Sequence, residues 1–528
     1  MLHLQNITYV HPNKDVLFEG VNLHLNSQKK AALIGNNGAG KSTLLGIIAG
    51  ALPYAQGNLE RNSDAYYVPQ VFGQFNHLTV AQVLGVNDKL QALRAILDGA
   101  VSEDNFQTLN DDWTIEERCM EALANWKLEE IALDRSMGTL SGGQKIKVLL
   151  AGIFIHQPQF VLMDEPSNHL DSSGRKLLYD FIKQSTATLL VVSHDRALLN
   201  LMDTMYELSK NGIATYGGNY DFYTAQKEIE QAALLQDVQG KEKELRKAKE
   251  IARAAAERQQ KLDARGKKKQ DKAGTPTIMM NTLRNNAEKS TARTKEVHAA
   301  KTGIIADELS NLRASLPELD KMKFDFDKSI LHNGKILFDG KGMQLVYNGM
   351  PVWQQPLDVQ LLSGDRVAIK GNNGSGKTSL IKVILNQVVP QSGSVHRALN
   401  SVVYIDQDYS LIQNEFTVYE QAQQYNKSGL QEHEVKSKLS RFLFTKAFWD
   451  KPCASLSGGE RMRLALCCIT VGNAAPDLII LDEPTNNLDI QNVTILTNAI
   501  KDYEGTLLVI SHDAYFLEEI GVEREIVL

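Results

Sequence analysis

A chain of 528 residues is too long for one hydrophobic core and has room for roughly three or four domain-sized units. Its 43% hydrophobic and 23% charged residues are those of a globular protein, and no apolar run of 18 or more residues is present to cross a membrane. Met1 to Gln5 has no basic region leading into an apolar core, so no secretory signal is expected. Cys119, Cys453, Cys467 and Cys468 show no metal-ligand spacing and fit a reduced, cytoplasmic setting. The net charge of −6 argues against uniform affinity for nucleic acid, but the charge is unevenly placed. Residues 241–301 hold 18 Lys and Arg against 8 Asp and Glu, a local +10 on a remainder of −16. A basic segment on an acidic body points to a polyanionic partner.

Residues 1–25 alternate apolar and polar and predict antiparallel strands. Tyr9 lies 26 residues before Gly35, and Tyr347 lies 24 before Gly371. An aromatic there either stacks on an adenine ring or fills a strand core. Next, the apolar run Ala31–Ile34 leads into Gly35-Asn36-Asn37-Gly38-Ala39-Gly40-Lys41-Ser42, then Thr43 and an apolar-periodic helix from Leu44 to Ile48. The pattern returns after Arg366–Ile369 as Gly371-Asn372-Asn373-Gly374-Ser375-Gly376-Lys377-Thr378, then Ser379 and a helix from Leu380 to Leu385. Strand, glycine-rich turn and helix start make a phosphate cradle. The glycines let backbone N–H groups face the anion, and the helix end adds positive partial charge. Lys41 and Lys377 would reach the β- and γ-phosphates of ATP, and the hydroxyls of Ser42 and Thr378 would ligate Mg²⁺.

The elements after each cradle repeat at matched intervals. Predicted strands end at Gln70 and Gln407, 35 and 36 residues after the first cradle glycine, where a carboxamide can touch Mg²⁺ and the attacking water. Leu140-Ser141-Gly142-Gly143-Gln144 and Leu456-Ser457-Gly458-Gly459-Glu460 each open a helix, which is a second anion site, although a lone Ser-Gly-Gly is more often a plain helix cap. Phe160–Glu165 and Leu478–Glu483 predict buried parallel strands ending in two carboxylates. Asp164 and Asp482 can hold Mg²⁺ through water, while Glu165 and Glu483 can orient and deprotonate the hydrolytic water. Asn168-His169-Leu170-Asp171 and Asn486-Asn487-Leu488-Asp489 follow. Further strands then end at Ser193-His194-Asp195 and Ser511-His512-Asp513, with 29 residues between glutamate and histidine both times. That duplicate spacing favours a γ-phosphate contact for His194 and His512.

The ordered set resembles the ATP-binding cassette ATPases, and the Leu-Ser-Gly-Gly stretch separates that family from other cradle-bearing ATPases. The resemblance covers both halves. It implies an α/β fold with two tandem nucleotide-binding domains, at residues 1–225 and 322–528, each a doubly wound core with a helical subdomain. It also implies head-to-tail pairing of the halves within one monomer. One ATP would lie between Lys41 and Ser457 and the other between Lys377 and Ser141, so that hydrolysis lets the halves part.

Within the family the chain is similar to the ABC-F class: two cassettes, no membrane domain and a charged helical linker, here residues 226–321. Gln226 to Arg265 contains no Pro and only Gly240, and a helix of about 40 residues would span roughly 60 Å. A second helix is expected from about Asn281 to Leu316. Ile305, Leu309, Leu312, Leu316 and Leu319 would face Leu234, Val238, Leu245, Ala248, Ala252 and Ala255 in an antiparallel coiled-coil hairpin. Its tip would run from Gly266-Lys267-Lys268-Lys269 to Ile278-Met279-Met280. A basic shaft of that length suits a phosphate-rich groove. Tyr216-Gly217-Gly218-Asn219-Tyr220 resembles a stretch common in the class and would anchor the hairpin to the first cassette. From Gln70 to Ser141 is 71 residues, against 50 from Gln407 to Ser457, so the first cassette carries an insertion at about 81–115. It is either a short arm or a surface loop with a helix. The class implies an ATP hydrolase that binds the ribosome (rRNA), with its linker near P-site tRNA, either as a housekeeping translation factor or in antibiotic resistance by ribosome protection. The rival from another class is the tandem ATPase subunit of a membrane importer, which has no need of a basic hairpin.

Overall fold

The computed structural model describes residues 1–70, 73–100, 102–209, 212–270, 296–313, 334–347, 349–472 and 475–528. Continuous apolar runs bounded by turns become parallel strands covered on both faces. In the first half Ala65–Val68, Phe160–Asp164, Thr188–Val192, Lys30–Ile34 and Thr204–Ser209 lie side by side in that order, all parallel. Gly212–Tyr216 closes the edge as an antiparallel hairpin strand. In the second half the order is Val402–Ile405, Leu478–Asp482, Thr506–Ile510, Arg366–Lys370 and Arg524–Val527, again parallel. Strands this apolar have no solvent face: Phe160–Asp164 and Thr188–Val192 are buried along their whole length.

The alternating segments form separate antiparallel sheets. Leu2–Val10 pairs with Val16–Leu25 and Gln56–Arg61, and Ile336–Gln344 pairs with Leu357–Leu362 and Ser392–Arg397. The helices Lys41–Ala49 and Lys377–Ile384 leave the cradles and bury Leu44, Leu45, Leu380 and Ile381 between the two sheets of each half. Gly142–His156 is apolar on most of its surface and packs against the parallel sheet. Gly152 permits that approach, since a Cβ there would sit 1.9 Å from the Tyr66 hydroxyl, which itself donates to the Leu149 carbonyl at 2.8 Å. The strand order sets glutamine, carboxylates, histidine and cradle at adjacent carboxyl ends of one sheet, where open α/β sheets bind ligands.

The chain divides into two compact units, Met1–Tyr223 with Met322–Leu528, and Thr224–Lys321. Both cassettes fall in the first. Its insertion is a pair of helices, Asn87–Leu97 and Glu103–Leu109, absent between Val418–Gln424 and Glu432–Arg441 of the second cassette. Leu90, Ala92, Leu93 and Leu109 are buried in the same core as Trp126, so the insertion is folded onto the helical subdomain. Tyr216, Tyr220 and Tyr223 stack with centroids 5.0 and 6.1 Å apart, and Tyr216 and Tyr223 both donate to Glu207.

The first hairpin helix is longer than expected. It starts at Tyr220 and runs to Gln270, so Gly266–Lys269 continue the helix and do not begin the tip. One glycine inside a long Lys- and Gln-rich helix costs only about 1 kcal/mol against alanine and does not end it. Residues 296–313 form the described part of the second helix. Val238, Ile305 and Leu309 are buried, and Leu234, Leu245, Ala248, Ala252, Ala255 and Leu312 are half-buried, which is the expected seam. Lys241 meets Glu308 at 2.7 Å and Arg313 meets Glu242 at 2.5 Å, fixing the register of the two helices. Leu316, Leu319 and the apolar tip lie outside the described residues. Among the described residues no helix is long and apolar enough to cross a membrane.

Candidate functional site

The two cradles adopt one conformation. Gly40 and Gly376 have φ of 97° and 91°, and a side chain there would strike Leu17 and Phe18 in one half or Val352 and Trp353 in the other. Lys41 Nζ donates to the carbonyls of Gly35 at 2.7 Å and Asn36 at 3.2 Å, and Lys377 Nζ to those of Gly371 at 2.8 Å and Asn372 at 3.0 Å. The loops close with Ala39 N donating to Asn36 and Ser375 N to Asn372. A cavity of about 420 Å³ opens over the first cradle, lined by Asn37, Gly38, Lys41, Ser42, Thr43, Gln70, Asp164, Glu165 and His194. The sequence-predicted residues from the cradle, the glutamine strand, the carboxylate strand and the histidine strand thus converge on one volume.

The chemistry-bearing pair is the same in both halves. His194 Nε2 lies 3.3 Å from Glu165 Oε1, and His512 Nε2 lies 3.3 Å from Glu483 Oε1. Glu165 and Glu483 have φ of 50° and 49°, and their N–H groups donate to Val192 and Ile510 at 2.8 Å. A left-handed glutamate is held only where its surroundings over-determine it, at a cost of about 1–3 kcal/mol. The hydroxyl of Tyr404 donates to Asp482 Oδ2 at 2.9 Å, and Ser42 and Tyr67 bond Asp164. Among the described residues, Asp164 Oδ1, His194 Nδ1, Ser375 Oγ and Glu483 Oε2 are buried polar atoms at these sites with no partner. Unmet hydrogen-bonding capacity of this kind marks a place built for a ligand. An unpartnered carboxylate oxygen beside a cradle serine also fits the donor set of Mg²⁺, which takes one or two carboxylates plus substrate phosphates.

Electrostatics separate the two glutamates from ordinary ones. Burial raises Glu165 from 4.5 to about 8; the Asp164 and Asp195 charges push the same way, while Lys41 and the His194 N–H oppose. Burial likewise raises Glu483 to about 7, with Asp482 adding and Arg175, the His512 N–H and Lys377 opposing. Burial drives His512 down to about 4 and His194 well below its usual range, so both rings are neutral. The glutamates therefore bind protons more tightly in the folded protein than unfolded. Their contribution to stability is full below pH 4.5 and is lost as pH rises through about 7 to 8. Without nucleotide, the protein should melt at a lower temperature at pH 8.5 than at pH 6.5, and Glu165→Gln/Glu483→Gln should narrow that gap. An unchanged gap in the doubly substituted protein would contradict the shifts.

The halves meet through these loops. Asn37 N donates to Asp489 Oδ2 at 2.9 Å and Asn37 Nδ2 to the Asn487 carbonyl at 3.0 Å. Reciprocally, Asn373 Nδ2 donates to the His169 carbonyl at 3.4 Å, and its backbone N–H bonds Asp171. Gly143 stands beside the same carbonyl, 2.8 Å from where its Cβ would be, and Gly458 beside that of Asn487. Each cradle thus faces the other cassette's Asn-x-Leu-Asp loop, with the Ser-Gly-Gly glycines next to it.

Some expectations change. Ser141 and Ser457 cap their helices, accepting from Gln144 N and Glu460 N at 3.3 Å, and Ser457 is not among the residues lining the first cavity. The aromatic wall of that cavity is His11, with Leu17, and not Tyr9. Tyr9 sits behind, edge-on to His11 at 5.5 Å and tilted on Phe18 at 6.1 Å. His11 lies 24 residues before Gly35, the interval that separates Tyr347 from Gly371, so the matched spacing was available in the sequence. Tyr347 is exposed, at the end of the short strand Val346–Tyr347. Thr43 lines the first cavity; in the second half Thr378 and Ser379 stand in the first turn of Lys377–Ile384, and Gln407 follows the strand Val402–Ile405.

The family model described as ABC transporter matches residues 18–168 and 354–486, more than half of the chain. The probable ATP-binding protein YbiT of Escherichia coli O157:H7 is 28% identical over 99% of this chain and 95% of its own. ABC transporter F family member 5 of Arabidopsis thaliana is 27% identical over 98% of this chain and 73% of its own. Among solved structures, an archaeal ribosome recycling factor, aABCE1, crystallised with the ribosomal stalk protein aP1, superposes with a TM-score of 0.62 at 19% identity. That alignment covers 99% of this chain and 87% of the other.

Proposed function

The chain belongs to the ABC transporter family of ATP-binding cassette proteins, in its ABC-F class, and is an ATP hydrolase; from that premise we propose that it is a cytoplasmic, monomeric ribosome-binding translation factor. ATP bound between the paired cassettes would hold them closed and present the basic helical hairpin to rRNA and P-site tRNA. The observation that carries this is the hairpin itself. It is a 51-residue helix packed on a second one, in a segment with a local +10 charge on a remainder of −16. Such a prong has no use in a subunit that only drives a membrane partner, and every exposed Lys or Arg that neutralises a phosphate adds to RNA affinity.

In the hydrolytic step, Glu165 or Glu483 accepts a proton from the water that attacks the γ-phosphorus. The new O–P bond forms as the bond to the β-phosphate oxygen breaks. A base with its proton affinity raised to near neutrality is matched to that task. His194 and His512, being neutral, donate a hydrogen bond to the γ-phosphate from Nε2 and do not act as cations. Lys41 and Lys377 release their loop carbonyls to take up the β- and γ-oxygens. Ser42, Gln70 and Asp164, and Thr378, Gln407 and Asp482, would hold Mg²⁺, which when bound neutralises phosphate charge. His11 walls the adenine in the first site and Tyr347 in the second. Loss of the γ-phosphate removes contacts shared by both cassettes and lets them separate.

The test is sedimentation of the Glu165→Gln/Glu483→Gln protein with 70S ribosomes at physiological salt. It should travel with ribosomes in ATP and free of them in ADP. Sedimentation apart from ribosomes in both would overturn the proposal, and copurification with a membrane protein would favour an importer subunit. Whether the role is general translation or protection against an antibiotic would show as a change in drug susceptibility on expression.

A further inference from the structure

The two ATP sites differ at one hydrogen bond that crosses the cassette pair. Ser172 Oγ lies 2.9 Å from Nδ1 of His512. Ser172 is the first residue of the helix Ser172–Gln184, directly after the capping Asp171. The same position in the second cassette, first in the helix Ile490–Asp502 after the capping Asp489, is Ile490. Isoleucine can neither donate nor accept, and His194 Nδ1 is buried with no partner among the described residues. A second difference lies one turn on. Arg175 donates through Nε to the Leu170 carbonyl at 3.3 Å and pairs with Asp195 at 3.6 Å, pinning the turn that carries Ser172; its counterpart is Val493.

Resting on the catalytic reading above, we propose that Ser172 is a positioning residue acting in trans on the second ATP site. Its hydroxyl donates to His512 Nδ1 and holds the ring as the Nε2–H tautomer, so this site turns over faster than the first. The assignment of donor follows from the ring's other face. Nε2, 3.3 Å from Glu483 Oε1, is the nitrogen that donates to the γ-phosphate in the catalytic reading, and a phosphate oxygen accepts only. Nε2 therefore carries the proton of the neutral ring, and Nδ1 is left as acceptor for the serine. His194 faces Glu165 in the same way but must choose its tautomer and rotamer without that second bond.

The experiment isolates each site in the full-length chain. Glu165→Gln leaves only the second site's glutamate, and Glu483→Gln only the first's. In the Glu165→Gln background, Ser172→Ala should lower kcat about fivefold with KM for ATP little changed, as expected for one lost hydrogen bond, and Ser172→Thr should restore it. In the Glu483→Gln background, Ser172→Ala should not slow the first site, while Ile490→Ser should quicken it. Independently of turnover, the ¹⁵N spectrum of histidine-labelled protein should show the His512 Nδ1 resonance move on Ser172→Ala and return with Ser172→Thr. Equal slowing in both backgrounds, no slowing in either, or an unmoved His512 resonance would overturn the proposal. Turnover surviving in Glu165→Gln/Glu483→Gln would instead overturn the catalytic reading itself, and with it this inference, before Ser172 is touched.

Discussion

Glu165→Gln/Glu483→Gln should lower ATP turnover by about 10²–10⁴-fold while leaving ATP binding intact, because an amide cannot take the proton of the attacking water. The two side chains have the same shape, and both glutamates stand at the ends of central strands, Glu165 buried and Glu483 largely so. Glutamine keeps the acceptor that meets His194 or His512 at 3.3 Å, so the geometry should survive. Removing the raised carboxyls also removes a cost of desolvation from the closed arrangement at neutral pH. The variant should therefore hold its nucleotide as ATP and stay closed. Phosphate release with radiolabelled ATP checks the first point, and retention of ATP through gel filtration checks the second. Turnover within about tenfold of the parent would refute the assignment.

Gly35→Ala should abolish nucleotide binding at the first site. Gly35 has φ +149°, and a Cβ on it would lie 2.4 Å from the carbonyl oxygen of Leu208. That oxygen belongs to Thr204–Ser209, paired in parallel with Lys30–Ile34 through Ile34 and Glu207. Neither strand can retreat without breaking the ladder, so the cradle must distort. The expected loss is about 3 kcal/mol or more of stability, with ATP affinity at this site down at least about a hundredfold. Gly38→Ala is the control: its φ is +81°, but nothing lies within 4 Å of its Cβ, so only the left-handed strain of about 1–2 kcal/mol applies. Titration with a fluorescent ATP analogue should show Gly35→Ala binding fewer equivalents than Gly38→Ala. Equal binding by the two would show that the close approach to Leu208 does not matter.

Much of the fold was written in repeated spacing. Buried strands and glycine turns are local, and the second copy fixes which intervals matter, so Lys41, Asp164, Glu165 and His194 are grouped by spacing alone. Local signals were also enough for the seam residues Val238, Ile305 and Leu309. The aromatic at the cradle is harder to place: Tyr9 matches Tyr347 by residue type, although its interval to the cradle is two residues longer, while His11, which lines the cavity, holds the matching 24-residue interval. The caps formed by Ser141 and Ser457 were legible as Ser-x-x-Gln and Ser-x-x-Glu boxes, and a capped helix start is also where an anion binds. Contacts between the halves, such as Ser172 with His512, rest on how two folded surfaces meet. Residues 340 apart in sequence carry no local sign of that.

The claim on which the account turns is that paired cassettes present a basic hairpin to RNA. It is tested most directly by the salt dependence of ribosome retention for Glu165→Gln/Glu483→Gln, with and without neutralisation of Lys243, Lys247, Lys249, Arg258 and Lys261, all exposed on the first hairpin helix. The account predicts weaker retention and a salt slope reduced by about 0.7–0.9 for each phosphate contact removed. Retention and slope unchanged by the five neutralisations would contradict it.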